Sequence, residues 1–286
     1  MISVTPVQLM EIGSILQQVG RMIERTVPTG LVAEGQCNEF SILRKLLPEN
    51  EGVYIDIGAG DPESCSNTWA FYQAGWHGLL IEPYPGFWFK LMRLRPRDHL
   101  SPFACSNVDG FARMRVCGTC NSLRPDWNID EQSTILVETA KLSTILLAYP
   151  ELRDNCKLCS IDVEGLESEV LEGVDWETFH PEVFCVEYLR FNPSGPKENL
   201  SVEWEHILLN YGYVRHAQTA LNYIYITTAI ANRLAAKKEA AEKRVEKQSK
   251  EDQLAAEELE RLKAKIEAER LAKVFQPRFQ NGQPVE

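Results

Sequence analysis

The sequence lacks both an excess of positive charge and a long apolar run. Lys and Arg number 30 against 41 Asp and Glu, which gives a formal net charge of −11 at pH 7. Because binding to nucleic-acid phosphates needs a basic surface, this balance disfavours nucleic acid as a partner. No stretch approaches the roughly 20 apolar residues that cross a bilayer, and the N-terminus lacks the basic and apolar regions of a signal peptide. We therefore expect no membrane span and a cytoplasmic location.

Cysteine occurs eight times, but without the usual spacing of a zinc site. Two C-x-x-C pairs, Cys117 with Cys120 and Cys156 with Cys159, are separated by 35 residues. The four-cysteine zinc pattern typically separates its pairs by roughly 15–20 residues. The second pair also runs into the apolar stretch Leu158–Ile161, where cysteine behaves as a small hydrophobe. We expect free thiols, as in a reducing compartment.

A strand, a glycine-rich turn, a helix and a second strand are predicted between residues 53 and 82. The apolar run Val53–Ile57 leads into Gly58-Ala59-Gly60, a helical stretch follows from Ser66 to Gln73, and Gly78–Glu82 is a second apolar run that ends in an acid. Such a turn brings backbone N–H groups close to a ligand, and an acid about 20 residues further on binds ribose hydroxyls. Glu82 lies 22 residues beyond Gly60. The pattern predicts a nucleotide-like ligand on a parallel sheet.

The sequence lacks the third glycine of a dinucleotide fingerprint, since Glu63 occupies that position. An acid beside a pyrophosphate is repulsive, which disfavours NAD and FAD. S-adenosylmethionine has a cationic sulfonium tail and no phosphate, and Asp56, Asp61 and Glu63 suit that charge better. The alternative is a turn that only reverses the chain.

A second group of acids is predicted at the carboxyl ends of two later strands. Asp162 and Glu164 follow the apolar run that ends at Ile161, and Glu187 ends the run that begins at Val183. Ligands bind outside the carboxyl ends of the strands in an open α/β sheet, where we also expect Asp56 and Glu82. Asp162, Glu164 and Glu187 are therefore candidate catalytic residues, and candidate ligands of Mg²⁺ or Mn²⁺. Each could instead be a helix cap or a surface charge.

The alternation of strands and helices predicts an α/β fold with a mostly parallel sheet and an antiparallel edge. Thr5-Pro6 begins a predicted N-terminal helix, and the segment from Gly118 to Gln132 is a candidate substrate-facing loop. We expect an N-terminal helical segment over 1–34, a catalytic domain over 35–228 and a charged helix with a tail over 229–286. The remaining predicted elements are a helix over 39–47, a helix from Gly86 to Arg95, strands over 99–105 and 111–117, a helix from Leu142 to Ala148, a helix from Gly165 to Leu171, a helix from Trp204 to Asn210, and a hairpin of Tyr211–Val214 with Asn222–Thr227.

The segment from Ala229 to Val274 contains no Gly or Pro and predicts one helix. It carries 12 Lys and Arg against 10 Asp and Glu, a net charge of +2, which leaves −13 for the rest of the chain. A helix of about 45 residues would be roughly 65 Å long. Its leucines are too sparse for a clear heptad seam. A solvated helix and a helix that mediates homo-oligomerisation both remain open.

Several of these motifs, in the same order, resemble the FkbM-type methyltransferases. The resemblance covers roughly residues 35–190, and Pro62 departs from it because many members have glycine there. The matching residues are Gly35-Gln36, Asn38–Phe40, Asp56–Gly60, Ser66–Thr68, Gly75–Gly78, Ile81–Pro83, Arg95-Pro96, Ala104, Ser106, Ile161–Gly165, Leu171 and Asp175-Trp176.

The resemblance implies a class I, Rossmann-like methyltransferase fold with helices on both faces of the sheet, S-adenosylmethionine as cofactor, and usually O-methylation of a sugar or polyketide-like acceptor. It implies that Gly58 and Gly60 form the cofactor turn and that the Ala104–Ser106 region borders adenine. Asp162 and Glu164 would lie where the methyl group meets the acceptor. The full predicted cofactor set is Asp56, Gly58, Ala59, Gly60, Ser66, Asn67, Thr68, Glu82, Pro83, Cys105, Ser106 and Asp162.

We therefore predict an S-adenosylmethionine-dependent O-methyltransferase that acts on a sugar, a glycan or a similar small polar acceptor. Two alternatives remain open. One is a catalytically idle scaffold that acts through its C-terminal helix, and the other is an N-methyltransferase.

Overall fold

The computed structural model describes residues 38–117, 121–124, 134–190, 198–199, 204–274, 279–280 and 283–284. The predicted N-terminal helix lies outside these residues. The strands are β1 Val53–Ile57, β2 His77–Ile81, β3 His99–Ser101, β4 Ala104–Ser106, β5 Gly110–Arg115, β6 Thr134–Lys141, β7 Cys156–Ile161, β8 Val183–Glu187, β9 Leu189–Arg190, β10 Glu198–Asn199, β11 Tyr213–Gln218, β12 Asn222–Thr227, β13 Phe279–Gln280 and β14 Gln283–Pro284. The helices are α1 Glu39–Leu46, α2 Trp69–Gln73, α3 Pro85–Leu94, α4 Leu142–Leu146, α5 Pro150–Asp154, α6 Glu167–Glu172, α7 Glu205–Asn210 and α8 Thr228–Val274.

The central sheet has seven strands in the order β11-β12-β8-β7-β1-β2-β3. Strands β8, β7, β1, β2 and β3 run parallel to one another, whereas β12 runs antiparallel to β8 and β11 antiparallel to β12. Every residue of β1 and β8 is buried, as expected for parallel strands that are covered on both faces. The sheet confirms the predicted mixed α/β fold with a mostly parallel sheet, and it brings the carboxyl ends of β1, β2, β7 and β8 to one edge.

A second sheet of three strands has the order β4-β6-β5. Its inner face packs Ala104, Met114 and Val137 together, and its outer face leaves Phe111 and Leu136 about two-thirds exposed. Strand β6 was not predicted. Alternation of apolar and polar residues is the signal for a half-buried strand, and Leu136 on the solvent face interrupts that alternation.

Several predicted boundaries were wrong for identifiable reasons. The strand predicted over 99–105 is two strands, because Pro102, which has no N–H to donate, separates β3 from β4. Helix α2 begins at Trp69 rather than Ser66, whose hydroxyl accepts hydrogen bonds from the N–H groups of Thr68 and Trp69. Helix α6 begins at Glu167, beyond Gly165. Strand β11 continues to Gln218.

Helix α8 is a 47-residue helix whose side chains are almost all exposed beyond residue 234. Ion pairs at helical spacing connect Lys243 to Glu239 at 2.6 Å and Lys250 to Glu246 at 2.7 Å. Two compact units are distinguished, Met1–Ala231 and Asn232–Glu286. Among the described residues, no helix is both long and apolar enough to cross a membrane.

Candidate active site

A cavity of about 220 Å³ lies at the edge where the strands β1, β2, β7 and β8 end. We call it the site cavity. Seven residues of the predicted cofactor set line it, together with the predicted catalytic residues Glu164 and Glu187. The seven are Gly58, Ala59, Gly60, Glu82, Pro83, Cys105 and Asp162.

The glycine turn after β1 has left-handed backbone at two positions, and the first of them accepts only glycine. Gly58 has φ +80°, and a Cβ atom there would lie 1.7 Å from the carbonyl oxygen of Asp162. Gly60 has φ +53°, and its N–H donates a hydrogen bond to Glu82 Oε2 at 2.8 Å. The absence of side chains thus allows β1 and the end of β7 to approach each other and exposes backbone at the cavity.

Glu82 is a buried carboxyl group at the end of β2, with 4% of its surface exposed. Besides the bond from Gly60, the N–H of Tyr84 donates to Glu82 Oε1 at 2.7 Å. Burial raises the pKa of Glu82 to about 7, although both backbone hydrogen bonds favour the charged form and oppose that rise. Glu82 is thus held by two backbone donors beside the turn, in the position that the sequence predicted for the ribose ligand.

Asp162, Glu164 and Glu187 form what we call the carboxylate cluster. One oxygen of each lies within 4.8 Å of one oxygen of both others. Glu187 is 6% exposed, and its Oε2 atom has no hydrogen-bond partner. Burial raises the pKa of Glu187 well above its usual range, and the nearby charges of Asp162 and Glu164 raise it further. The sequence prediction that these three acids meet at one sheet edge agrees with their placement.

Glu164 has an unusual backbone conformation for a residue other than glycine, with φ +57°. Its carbonyl oxygen accepts a hydrogen bond from the hydroxyl of Ser122 at 3.0 Å. Ser122 is 2% exposed, and its backbone pairs with Arg115 at the end of β5. Ser122, which lies between β5 and β6 in the sequence, therefore connects the three-stranded sheet directly to the main chain of the carboxylate cluster.

Five residues of the predicted cofactor set do not line the site cavity: Asp56, Ser66, Asn67, Thr68 and Ser106. The hydroxyl of Thr68 donates to a carboxylate oxygen of Asp56, and the side-chain amide of Asn67 donates to Ser160 Oγ at 3.1 Å. Burial raises the pKa of Asp56, against the lowering effect of the charge on Arg95. Four of the five thus bond to one another or to Ser160 on β7, whereas the hydroxyl of Ser106 donates to Asn107 Oδ1 at 3.5 Å.

Several residues that line the cavity were not among the predicted site residues. Asn121, Ser122 and Leu123 lie in the segment that the sequence predicted as a substrate-facing loop, so its polar, turn-rich composition was the available signal. Leu221 comes from the turn before β12, which no local pattern connects to the site. Asp61 and Ala104 also line the cavity, and the sequence had linked Asp61 to the charge of the cofactor and the region of Ala104 to adenine. The other residues of the lining are Ile57, Ser64, Cys65, Ile81, Phe87, Met114, Val163 and Leu166.

The comparisons with known proteins agree with a methyltransferase. The family profile "Methyltransferase FkbM domain" matches residues 56–215, more than half of the chain. No curated protein matches the chain. Structural neighbours include precorrin-6y C5,15-methyltransferase from Geobacter metallireducens, at 14% identity and TM-score 0.36 over 71% of this chain and 93% of that one. Another is 1,6-didemethyltoxoflavin-N1-methyltransferase from Burkholderia thailandensis with bound 1,6-didemethyltoxoflavin and S-adenosylhomocysteine, at 12% identity and TM-score 0.35, over 79% of this chain and 90% of that one.

The chain is an S-adenosylmethionine-dependent methyltransferase. It belongs to the FkbM methyltransferase family, an assignment that rests on the family profile, because the structural neighbours are too distant to inform the choice of substrate.

Proposed function

We propose that this methyltransferase transfers the methyl group of S-adenosylmethionine to a hydroxyl oxygen of a sugar, a glycan or a similar small polar acceptor. The observation that carries the proposal is the carboxylate cluster, which lines the same cavity as Glu82 and the glycine turn. A hydroxyl must lose its proton during methylation, and a carboxylate within reach can accept it. An acceptor with several hydroxyl groups would also find oxygen acceptors in the cluster.

In the proposed reaction, the acceptor oxygen attacks the methyl carbon and the bond from that carbon to the sulfonium sulfur breaks. S-adenosylhomocysteine leaves, and the hydroxyl proton passes to Asp162 or Glu164. Burial favours the protonated form of Glu187, whose proton can then be shared with its two neighbours. Alignment of oxygen, carbon and sulfur supplies much of the rate, because bound reactants lose little further entropy on reaction.

The cluster also fits a divalent cation such as Mg²⁺ or Mn²⁺. Its oxygens are hard ligands, and one oxygen from each residue lies within 4.8 Å of the others, so that the three carboxylates could converge on one ion. The Oε2 atom of Glu187 has no hydrogen-bond partner, so it can act as a ligand of the cation without breaking an existing bond. A cation bound there would stabilise negative charge that develops on the acceptor oxygen. Loss of activity in EDTA and recovery with Mg²⁺ or Mn²⁺ would support this version, and full activity in EDTA would leave proton transfer to the carboxylates alone.

The test of O-methylation is transfer of a radioactive methyl group from S-adenosylmethionine to paired acceptors that differ only in a hydroxyl or an amine, such as glucose and glucosamine, extended to oligosaccharides. Methyl ethers in the products support the proposal, and methylamines favour the N-methyltransferase. If calorimetry shows no binding of S-adenosylmethionine, the chain is a scaffold instead.

We also propose that helix α8 pairs with a second copy of the chain. Leu259, Leu262 and Ile266 are each more than half exposed and recur at intervals of three and four residues, which places them on one side of the helix. Val245, Leu254 and Leu271 are similarly exposed. Pairing with another helix would remove this apolar surface from water.

A further inference from the structure

Arg95 is a completely buried cation next to the site, with no exposed side-chain surface. Its Nε donates to Asp98 Oδ2 at 2.7 Å and its Nη2 donates to Thr68 Oγ1 at 2.8 Å. Its Nη1 lies 3.7 Å from Asp56 Oδ2 and donates to Ser66 Oγ at 3.4 Å. Burial of a charge is costly unless partners compensate for the lost water, and here two carboxylates and two hydroxyls do so.

Two partners of Arg95, Asp56 and Thr68, flank the loop that forms the cofactor turn, and a third, Ser66, lies within it. We call residues 57–67 the cofactor loop. Asp56 precedes it on β1, Thr68 follows it before α2, and the hydroxyl of Thr68 donates to Asp56. Arg95 therefore holds the two ends of the loop together from beneath. Six residues of the loop besides Ile57 line the site cavity: Gly58, Ala59, Gly60, Asp61, Ser64 and Cys65.

The cofactor loop needs an internal anchor because, apart from Ile57 at its start, it belongs to no helix or strand. Three of its residues have left-handed backbone conformations, namely Gly58, Gly60 and Cys65. On its outer side Lys90 pairs with Asp61 at 2.8 Å, but the Lys90 side chain is 40% exposed, and exposed ion pairs contribute little. The buried contacts to Asp56 and Thr68 are the stronger restraint.

We propose that Arg95 is a positioning residue for the cofactor. Acting through Thr68 and Asp56, it holds the cofactor loop in the conformation that accepts S-adenosylmethionine before the ligand arrives. A site that is already ordered binds more tightly, since binding does not have to order the loop. The proposal rests on the cofactor assignment. Affinity should therefore depend on side chains that do not line the cavity.

The same network supplies a matched control in Tyr54, whose ring lies 5.2 Å from the Arg95 guanidinium and whose hydroxyl bonds to Asp98 rather than to a residue of the loop. The hydroxyl of Tyr54 donates to both oxygens of Asp98, at 2.7 and 2.8 Å, and Tyr54 is completely buried. Removal of that hydroxyl disturbs the partner of Arg95 that does not border the loop. It should reduce stability without releasing the loop.

The test measures binding of S-adenosylhomocysteine by calorimetry, together with the midpoint of thermal unfolding. Thr68→Val keeps the side-chain shape but loses the hydrogen bonds of the hydroxyl to Arg95, Asp56 and Ser66. Thr68→Ser keeps the hydroxyl, and Tyr54→Phe is the control. We expect Thr68→Val to weaken binding at least tenfold, while the other two variants stay within about threefold of the parent. Unchanged binding in Thr68→Val, or equal losses in Thr68→Val and Tyr54→Phe, would overturn the proposal. A parent protein that does not bind the ligand would refute the cofactor assignment instead.

Hydrogen exchange of the parent protein tests the same idea without a destabilised variant, in case Thr68→Val does not fold. Amides of the cofactor loop should exchange in the free protein at rates within about tenfold of those in the complex with S-adenosylhomocysteine. Fast exchange that slows only when the ligand binds would show that the ligand, and not Arg95, orders the loop.

Discussion

The hydroxyl of Ser122 donates a hydrogen bond to the main-chain carbonyl of Glu164, at 3.0 Å and across 42 positions of the sequence. This bond joins the connection between β5 and β6 to Glu164, the residue of the carboxylate cluster with a left-handed backbone. A non-glycine residue in the left-handed region is strained by roughly 1–3 kcal/mol and persists only where its surroundings hold it. Ser122 is part of what holds Glu164.

Replacement of Ser122 by Ala should lower turnover about tenfold and leave binding of S-adenosylhomocysteine unchanged. The variant removes the restraint on Glu164 but none of the contacts of the glycine turn. Turnover can be measured with the acceptor found in the methyl-transfer assay. Ser122→Thr retains the hydroxyl and should keep most of the activity, so equal activity in Ser122→Ala would argue against a role for this bond.

Replacement of Glu82 by Ala should weaken binding of S-adenosylmethionine roughly ten- to hundredfold. Hydrogen bonds from ribose hydroxyls to a carboxylate contribute about 1.5–3 kcal/mol, which corresponds to that range. Calorimetry measures the change, and Glu177→Gln, which removes one exposed charge far along the chain, is the control. Parent-like affinity in Glu82→Ala would remove Glu82 from the ribose site.

The affinity for S-adenosylhomocysteine should rise as the pH increases from about 5.5 to 8. Burial raises the pKa of Glu82 to about 7 in the free protein, and bonds from ribose hydroxyls favour its charged form, so binding releases a proton. Calorimetry across this range measures the slope. Glu82→Gln cannot titrate and should flatten it, and a slope that persists in this variant would assign the proton to another group.

The stability of the ligand-free protein should fall over the same pH range in which the affinity for S-adenosylhomocysteine rises. Burial raises the pKa values of Glu82 and Glu167 to about 7, above the ordinary glutamate value, so the folded state binds protons more tightly than the unfolded state. Their contribution to stability is present below about pH 4.5 and is lost as the pH rises through 7. The midpoint of thermal unfolding should fall between pH 5 and 8, and a rising midpoint would contradict the raised pKa values.

Asp162→Asn and Glu164→Gln should each lower turnover about a hundredfold or more, the usual scale for loss of a general base. Glu187→Gln should lower turnover by a smaller factor if the role of Glu187 is to share a proton with Asp162 and Glu164. Steady-state rates at saturating cofactor separate these effects from binding. Nearly full activity in both Asp162→Asn and Glu164→Gln would show that the acceptor needs no base, as expected for methylation of an amine.

Removal of residues 232–286 should leave a folded chain that binds S-adenosylhomocysteine, because the apolar strands of the central sheet all precede that point. Sedimentation of both chains at equal concentration then tests the proposed pairing of helix α8. We expect the full chain to be larger than a monomer and the shortened chain to be a monomer. The same state in both chains would make α8 a solvated helix, and a shortened chain that does not fold would place α8 in the core.

The strands of the central sheet were predictable because their signal is local. β1 and β8 appear within their predicted bounds, Val53–Ile57 and Val183–Glu187, since each is a short, mainly apolar run that contains one acid and lies between turn residues. The acids that follow such runs were predictable as neighbours for the same reason, because parallel strands bring their ends together. Glu82, Asp162, Glu164 and Glu187 thus meet at the cavity as the strand order requires.

The remainder of the site depends on contacts between residues that are distant in sequence. Leu221 lines the cavity only because β12 runs beside β8, and Ser122 only because β5 and β6 form a separate sheet. Asp56 carries nearly the same sequence signal as Glu82, since it lies one position before the end of an apolar run. What separates them is Arg95, nearly forty positions later, which holds Asp56 beneath the loop. No local pattern shows that pairing.

Among the residues that the structure describes, four cysteines without a disulfide bond are buried: Cys105, Cys156, Cys159 and Cys185. Cys65 is exposed, and Cys117 is partly exposed. Burial raises the pKa of Cys105 to about 12, which suppresses its reactive thiolate form in the folded state. A thiol reagent would therefore modify the outer cysteines at once and the inner ones only when the sheet opens. The rate at which the buried cysteines are modified therefore measures how often the folded protein opens. Cys105 lines the site cavity, so its modification rate would show whether the cofactor slows that opening.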